Sequence, residues 1–219
     1  MEPKKVVILG CGGTGTDIFD LIDDINEVKP TFNCLGFLDD DSSRWGKEIC
    51  GVPVLGPLIK ALELKEVSFL NGLGSQSNHW KTERIISELG IQFDQFETIV
   101  HPMSKVSKKS FLGFGVIVYP HVFIGPNVKI GNLSTILANS TINHDSVLEE
   151  FAIVCSNVAV SGAVKVGKSC YLGAGSSIRQ NVTIGERSLL GIGSVVLNNV
   201  MPDSVCKGNP AVFLRANCV

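Results

Sequence analysis

The 219-residue chain is short of charge: 18% of its residues are Asp, Glu, Lys or Arg, against roughly 25% in an average soluble domain. With no run of Lys or Arg and a formal net charge of -2, it lacks the basic footprint that nucleic acid or an anionic membrane surface requires. It has no run of 18 apolar residues, so no spanning helix and no membrane insertion are expected. Met1-Glu2-Pro3-Lys4-Lys5 leads directly into a strand-like Val6 to Leu9 rather than a secretory leader, which points to a cytoplasmic location. The seven cysteines, Cys11, Cys34, Cys50, Cys155, Cys170, Cys206 and Cys218, form no C-x-x-C pair. They read as reduced, mostly buried small side chains, and no metal site is expected.

The missing charge is unevenly distributed. Residues 1–100 hold 25 charged side chains, whereas the 96 residues from Val106 to Met201 hold 11. What this second stretch has instead is a period of six. Every block from Val106 opens on an aliphatic residue (Val118, Ile124, Ile130, Ile136, Ile142 and so on to Val196), sixteen times in sixteen, and the fifth residue of each block is small or β-branched. An amphipathic helix needs 3.6-residue spacing and disfavours this density of Gly and β-branched residues. Short strands separated by turns satisfy the pattern, and three such sides close a coil of about 18 residues. At ~4.8 Å per strand, a little over five coils make a prism about 25 Å tall. The second position is Gly in seven blocks (Gly113, Gly125, Gly131, Gly167, Gly173, Gly185, Gly191), read as corners whose backbone disfavours a Cβ. Asn127, Asn157 and Asn181 at the fourth position suit left-handed turns.

The first hundred residues read differently. Lys4 to Leu9 suits a strand, Gly10-Cys11-Gly12-Gly13-Thr14-Gly15 a tight turn, and Asp17 to Ile25 a helix with Ile18, Leu21, Ile22 and Ile25 on one face. The turn fits G-x-G-x-x-G, in which glycines let the backbone approach a diphosphate and the helix start meets its charge. A second strand, Cys34 to Leu38, ends in Asp39-Asp40-Asp41, where carboxylates can meet a ribose or base donor or simply face solvent. Val67 to Leu70 reads as a further strand, and a helix follows from near Trp80. This is half of a doubly wound sheet.

The Gly-rich turn, the Gly-Phe-Leu-Asp-Asp strand end, Gly51-Val52-Pro53-Val54-Leu55-Gly56 and the hexapeptide blocks together resemble the bacterial sugar-nucleotide acetyltransferases. That group includes UDP-4-amino-sugar N-acetyltransferases and sialic acid O-acetyltransferase-like enzymes of the hexapeptide-repeat superfamily. The resemblance covers nearly the whole chain. It implies an N-terminal Rossmann-like nucleotide-sugar domain over residues 1–100 and a left-handed parallel β-helix with a C-terminal extension over residues 101–219. The left hand comes from the resemblance, since such crossovers are otherwise very rare. It also implies acetyl-CoA as co-substrate, a homotrimer with active sites between neighbouring prisms, and a role in glycan biosynthesis. By carry-over, Gly12, Gly13, Thr14, Asp39, Asp40 and Gly74 face the nucleotide sugar.

Acetyl transfer needs a base, donors for the oxyanion and a groove for the pantetheine arm. Of four histidines, His79 lies in a polar loop and His101 in a His-Pro linker, and both read as surface or interface residues; His121 lies in the repeats outside the family motif. His144, in Ile142-Asn143-His144-Asp145-Ser146, resembles the family's catalytic dipeptide. A third-position residue lies near a corner, and the adjacent Asp145 raises imidazole basicity and fixes its tautomer. Where relatives have a second histidine nine residues on, contacting the acetyl group, this chain has Ile153. The resemblance places coenzyme contacts at Gly162, Ala174 and Ile192, and its closing Gly-Asn-Pro-Ala motif at Gly208 to Ala211. Lys207 and Pro210 then lie beside the coenzyme, with Lys207 and Arg215 as phosphate partners. The expected activity is acetylation of a nucleotide-linked, UDP-4-amino sugar, with His144 as base. The alternatives are O-acetylation of a sialic-acid-like sugar, a catalytically silent nucleotide-sugar-binding trimer, and an NAD oxidoreductase. The last finds no hydride-accepting domain beyond Ile99.

Overall fold

The computed structural model describes residues 2–217, so Cys218 lies outside the described residues. Its contacts divide the chain into two units. The first runs to Leu73 and includes Arg84–Thr98; the second comprises Gly74–Glu83 and everything from Ile99 onward. The segment Gly74–Glu83, read from sequence as part of the N-terminal region, thus packs with the repeats.

The first unit is built on β1 (Lys4–Leu9), α1 (Gly13–Val28), β2 (Phe32–Leu38), β3 (Glu48–Ile49), β4 (Val52–Gly56) and β5 (Ser68–Asn71), with sheet order β3-β4-β2-β1-β5. The strands β4, β2, β1 and β5 are parallel, and only β3 runs against its neighbour. Ile18, Leu21, Ile22 and Ile25 are the buried stripe of α1, as their spacing requires. The helix starts at Gly13, four residues before the expected Asp17. A helix tolerates glycine in its first turn, where the N–H groups lack intrahelical acceptors.

In the second unit, seventeen two-residue strands, β6 (Ile99–Val100) to β22 (Val195–Val196), are followed by a hairpin of β23 (Ser204–Lys207) and β24 (Val212–Ala216). They form three faces, the first begun by β6, the second by β7 (Lys105–Val106) and the third by β8 (Phe111–Leu112). Each strand from β6 to β19 pairs in parallel with the one 18 residues on, as in Phe123 with Thr141 and Ile124 with Ile142. The unit is a left-handed parallel β-helix. The block-opening aliphatics from Val118 to Val196 fill its interior, with Val106 and Leu112 packed against that core; each full burial stabilises by roughly 1.5–3 kcal/mol. The small fifth residues have their own reason. Ser140 Oγ donates to the Cys155 carbonyl at 2.8 Å and accepts from the Val158 N–H at 3.2 Å, and Ser134 and Ser146 repeat the pattern.

The expected role of the second-position glycines is corrected by the structure. Left-handed backbone falls at the fourth position of every block from Gly115 to Gly193, including Asn127, Asn157 and Asn181 but also Leu133, Phe151 and Arg187. The second-position glycines have no positive φ. They are needed because the next coil is already there: a Cβ on Gly173 would lie 2.4 Å from the Leu190 carbonyl oxygen, and one on Gly131 would lie 2.5 Å from Glu150 N.

Two further expectations change. His79 is fully buried: Nδ1 donates to the Ser169 carbonyl at 2.7 Å and Nε2 accepts from Asn217 Nδ2 at 3.1 Å. Its burial holds the imidazole below its usual pKa, against the opposing pull of the Ser169 carbonyl. His101 is also buried and accepts the Met103 N–H at 3.0 Å through Nδ1. Among the cysteines, Cys11, Cys155, Cys170 and Cys206 are buried as expected, but Cys34 is half-buried and Cys50 exposed.

Candidate active site

The corner between the second and third faces carries His144. Its imidazole Nδ1 lies 2.8 Å from Asp145 Oδ2, and the other carboxylate oxygen, Oδ1, accepts from Asn127 Nδ2 at 3.0 Å. The hydrogen bonds from His144 and then Asn127 hold the Asp145 carboxyl below the usual carboxylate range. An ionised Asp145 accepts the proton on Nδ1, which leaves the Nε2 lone pair free to act as a base. The corner backbone is fixed from both sides, since the Asp145 N–H bonds the Pro126 carbonyl at 3.1 Å and the Ala163 N–H bonds the His144 carbonyl at 2.9 Å. One coil beyond His144 stands Gly162, where a Cβ would come within 2.6 Å of His144 Cε1 and 2.7 Å of Nε2. Gly162, expected from the resemblance to contact the coenzyme, is the seat of the ring.

The same corner continues into a groove of about 680 Å³ lined by Ser161, Arg179, Gln180, Asn181 and Asn198 among others, with one cation and no carboxylate. Arg179 and Gln180 had no distinguishing motif in the sequence; their 18-residue spacing from Ser161 and Gly162 is the signal that places them here. Ala174 and Ile192 occupy a different corner, between the first and second faces. They sit on stacked turns, with the Gly193 N–H bonded to the Ala174 carbonyl at 2.9 Å and Lys207 packed under Gly191. Ile192 is 79% exposed. Pro210 lies in the turn between β23 and β24. Lys207 and Arg215 share a groove of about 520 Å³ with Ser75, Gln76 and Ser77. Gly74, at φ +109, packs on Ile153: a Cβ there would lie 2.9 Å from Ile153 Cδ1. His121 is an exposed corner residue at φ +59.

In the first unit, each glycine of the turn has its own reason. Gly10 needs its φ of +88, and Gly15 brings α1 against β1, since a Cβ there would lie 2.1 Å from the Gly10 carbonyl oxygen. Gly12 and Gly13 face open space, with nothing within 4 Å of a built Cβ; Gly12 caps α1, and Thr14 lies in its first turn. Asp39 comes to this turn, but its Oδ2 accepts the Cys11 N–H at 2.9 Å and its Oδ1 the Asp41 N–H at 2.9 Å. Burial alone would raise the Asp39 carboxyl; these N–H groups, the Cys11 thiol and Arg44 outweigh it and hold it low. Asp40 accepts the Leu58 N–H at 2.9 Å, at the start of the short helical turn Leu58–Glu63. Both carboxylates therefore organise the loop around the turn. Arg44, which sequence reasoning missed, donates to the Cys11 carbonyl at 2.8 Å and pairs with Asp41 at 3.1 Å.

The chain has counterparts among known proteins. Residues 5–84 match the family model of the PglD N-terminal domain. GDP-perosamine N-acetyltransferase of Escherichia coli O157:H7 is 27% identical over 176 residues, 79% of this chain and 77% of that protein. UDP-N-acetylbacillosamine N-acetyltransferase of Bacillus subtilis (strain 168) is 30% identical over 118 residues, 52% of this chain and 51% of that one. A perosamine N-acetyltransferase point mutant from Caulobacter crescentus, solved with CoA and GDP-perosamine, superposes with a TM-score of 0.82 at 25% identity, covering 96% of this chain and 97% of that one. Residues 5–84 thus match the PglD N-terminal domain, and over most of its length the chain is similar to bacterial sugar-nucleotide N-acetyltransferases. The two likenesses together span both units, the α/β unit with its open glycine turn and the β-helix with its exposed His-Asp corner. Among the described residues, no helix is long and apolar enough to cross a membrane.

Proposed function

We propose that the protein transfers the acetyl group of acetyl-CoA to the 4-amino group of a nucleotide-linked sugar in glycan biosynthesis, with His144 as general base. The observation that carries this reading is the oriented pair at the corner: Nδ1 of His144 faces Asp145, and Nε2 is left free. The neutral sugar amine attacks the thioester carbonyl, Nε2 takes the proton released from nitrogen, and the coenzyme thiolate leaves and is protonated. The groove with Arg179 offers the coenzyme a cation along the same corner, and Lys207 and Arg215 offer two more at the hairpin.

A second feature supports a trimeric site. Gly162 is 18 residues from His144 and shares its corner, whereas Ala174 and Ile192 stand on the next corner. One coenzyme touching both sets needs the corners of two prisms facing each other. His144 and Asp145 have side chains 63% and 52% exposed, and a covering neighbour would strengthen their pairing by excluding water. The open backbone at Gly12 and Gly13 supports a nucleotide diphosphate as the acceptor's handle. Relatives acting on GDP-perosamine and UDP-linked bacillosamine leave both bases as candidates, so the UDP assignment is one arm of the test.

The experiment measures thiol release from acetyl-CoA with a panel of UDP-, GDP- and dTDP-linked 4-amino sugars. Transfer to one of these, lost by about 10²–10⁴-fold in His144→Ala, is the expected result. Full turnover in His144→Ala would sink the mechanism. Acetyl-CoA failing to bind by calorimetry would favour the silent version that Ile153 motivates, and acetylation of a free nonulosonic acid hydroxyl would favour O-transfer.

A further inference from the structure

We propose that Asn127 is a positioning residue for acetyl transfer: its amide fixes the Asp145 carboxylate that faces Nδ1 of His144. This rests on the reading of His144 as the base. Asn127 stands 18 residues before Asp145 on the same corner, one coil away. Both residues occupy left-handed backbone, at φ +59 and +61, and their side chains meet at 3.0 Å.

The argument begins with exposure. An ion pair whose partners are both more than half exposed exchanges freely with water, and such pairs contribute roughly 0–1 kcal/mol. An unaided Asp145 would therefore spend much of its time turned away from the imidazole. A carboxylate is planar, however, and anchoring one oxygen sets the direction of the other. The Asn127 amide holds Oδ1, which leaves Oδ2 on the His144 side at 2.8 Å. The backbone hydrogen bonds of Asp145 to Pro126 and of Ala163 to His144 hold the frame on which these side chains turn.

The ring is limited from its other side by Gly162, whose missing Cβ is the space the imidazole occupies. Among the described residues, Asp145 is the charged group that the structure pairs with this ring; Asn127 and Gly162 are neutral. An amide does not titrate, so it holds the carboxylate equally well wherever Asp145 is ionised. Another carboxylate at position 127 would hold nothing and would repel Asp145.

Two substitutions test this in the full chain. Asn127→Gly keeps the left-handed backbone and removes the amide. It is expected to lower kcat about tenfold, a fraction of the roughly 10²–10⁴ that a positioned base contributes, with the KM for acetyl-CoA within about twofold and the thermal midpoint within about 3 °C. Asn127→Asp places a second carboxylate beside Asp145 and is expected to lower kcat at least as far, again with the KM for acetyl-CoA within about twofold. In a His144→Ala background Asn127→Gly is expected to change the residual kcat by less than about twofold, because a positioning residue acts only through the group it positions. An unchanged kcat in Asn127→Gly, or a further tenfold loss on adding Asn127→Gly to His144→Ala, overturns the proposal. The two readings fail separately. Wild-type turnover in His144→Ala removes the base assignment itself, whereas the double variant reports whether Asn127 acts through the His144-Asp145 pair.

Discussion

Glycine is abundant in both halves of the molecule, and it does different work in each. In the prism, Gly113, Gly131, Gly167, Gly173 and Gly185 are each faced by the backbone or a nearby atom of the following coil at 2.3–2.6 Å from where a Cβ would be. In the N-terminal turn, Gly12 and Gly13 face nothing. The first kind is accounted for by the chain itself. The second leaves backbone N–H groups at a helix start uncovered, which has a use only if something from outside arrives. Gly162 is a third kind, faced by the movable side chain of His144. Among glycines without a positive φ, what stands opposite the absent Cβ separates packing glycines from binding and catalytic ones.

Alanine substitutions sharpen this contrast, or break it. The largest loss of stability is expected at Gly173→Ala, because a backbone carbonyl cannot step aside; overpacking of this kind costs about 1–3 kcal/mol, read by chemical denaturation. Gly162→Ala comes next, with the loss in activity instead: kcat is expected to fall about tenfold, or roughly 1.4 kcal/mol, while the denaturation midpoint stays near wild type because the displaced imidazole is free to swing outward. The smallest effect on stability is expected at Gly13→Ala, within about 0.5 kcal/mol, accompanied by a higher KM for the nucleotide sugar and an unchanged KM for acetyl-CoA. Equal destabilisation at Gly173 and Gly13 would show that the opposing atom is not what matters.

The prism was legible because each coil is a local repeat. One aliphatic every six residues is enough to mark the inward face, and Ile142 or Val160 can be assigned to the core without knowledge of any distant contact. The corner position of His144 was legible for the same reason, since it stands third in its block, whereas the reading of His144-Asp145 as a base and its partner came from the family resemblance. The purpose of the second-position glycines was not legible: close approach and positive φ both select glycine, and a sequence does not distinguish them. His79 was misread because its neighbours Ser77, Asn78 and Lys81 are polar, while the groups that bury and bind it, Ser169 and Asn217, lie 90 and 138 residues away. Asn127 carried a correct expectation about its backbone, but its side-chain partner became visible only when coils were stacked. Asp39 and Asp40 were read as facing a ligand. Their N–H partners at Cys11, Asp41 and Leu58 come from turns whose paths the local sequence does not reveal.

The hairpin of β23 and β24 has a consequence for how the molecule behaves in numbers. A parallel β-helix is built by repeated addition of identical rungs, and a free last rung offers its N–H and C=O rows to the first rung of another molecule. On the longest face that growth is stopped by a reversal of direction: β23 pairs in parallel with the strand below it, but β24 runs antiparallel and lies outermost. An incoming parallel coil finds no matching register there, and Arg215 adds a charge to the edge, a device by which sheet proteins avoid joining end to end. The five residues of β24 thus finish the longest face with an edge that runs against the coils beneath it.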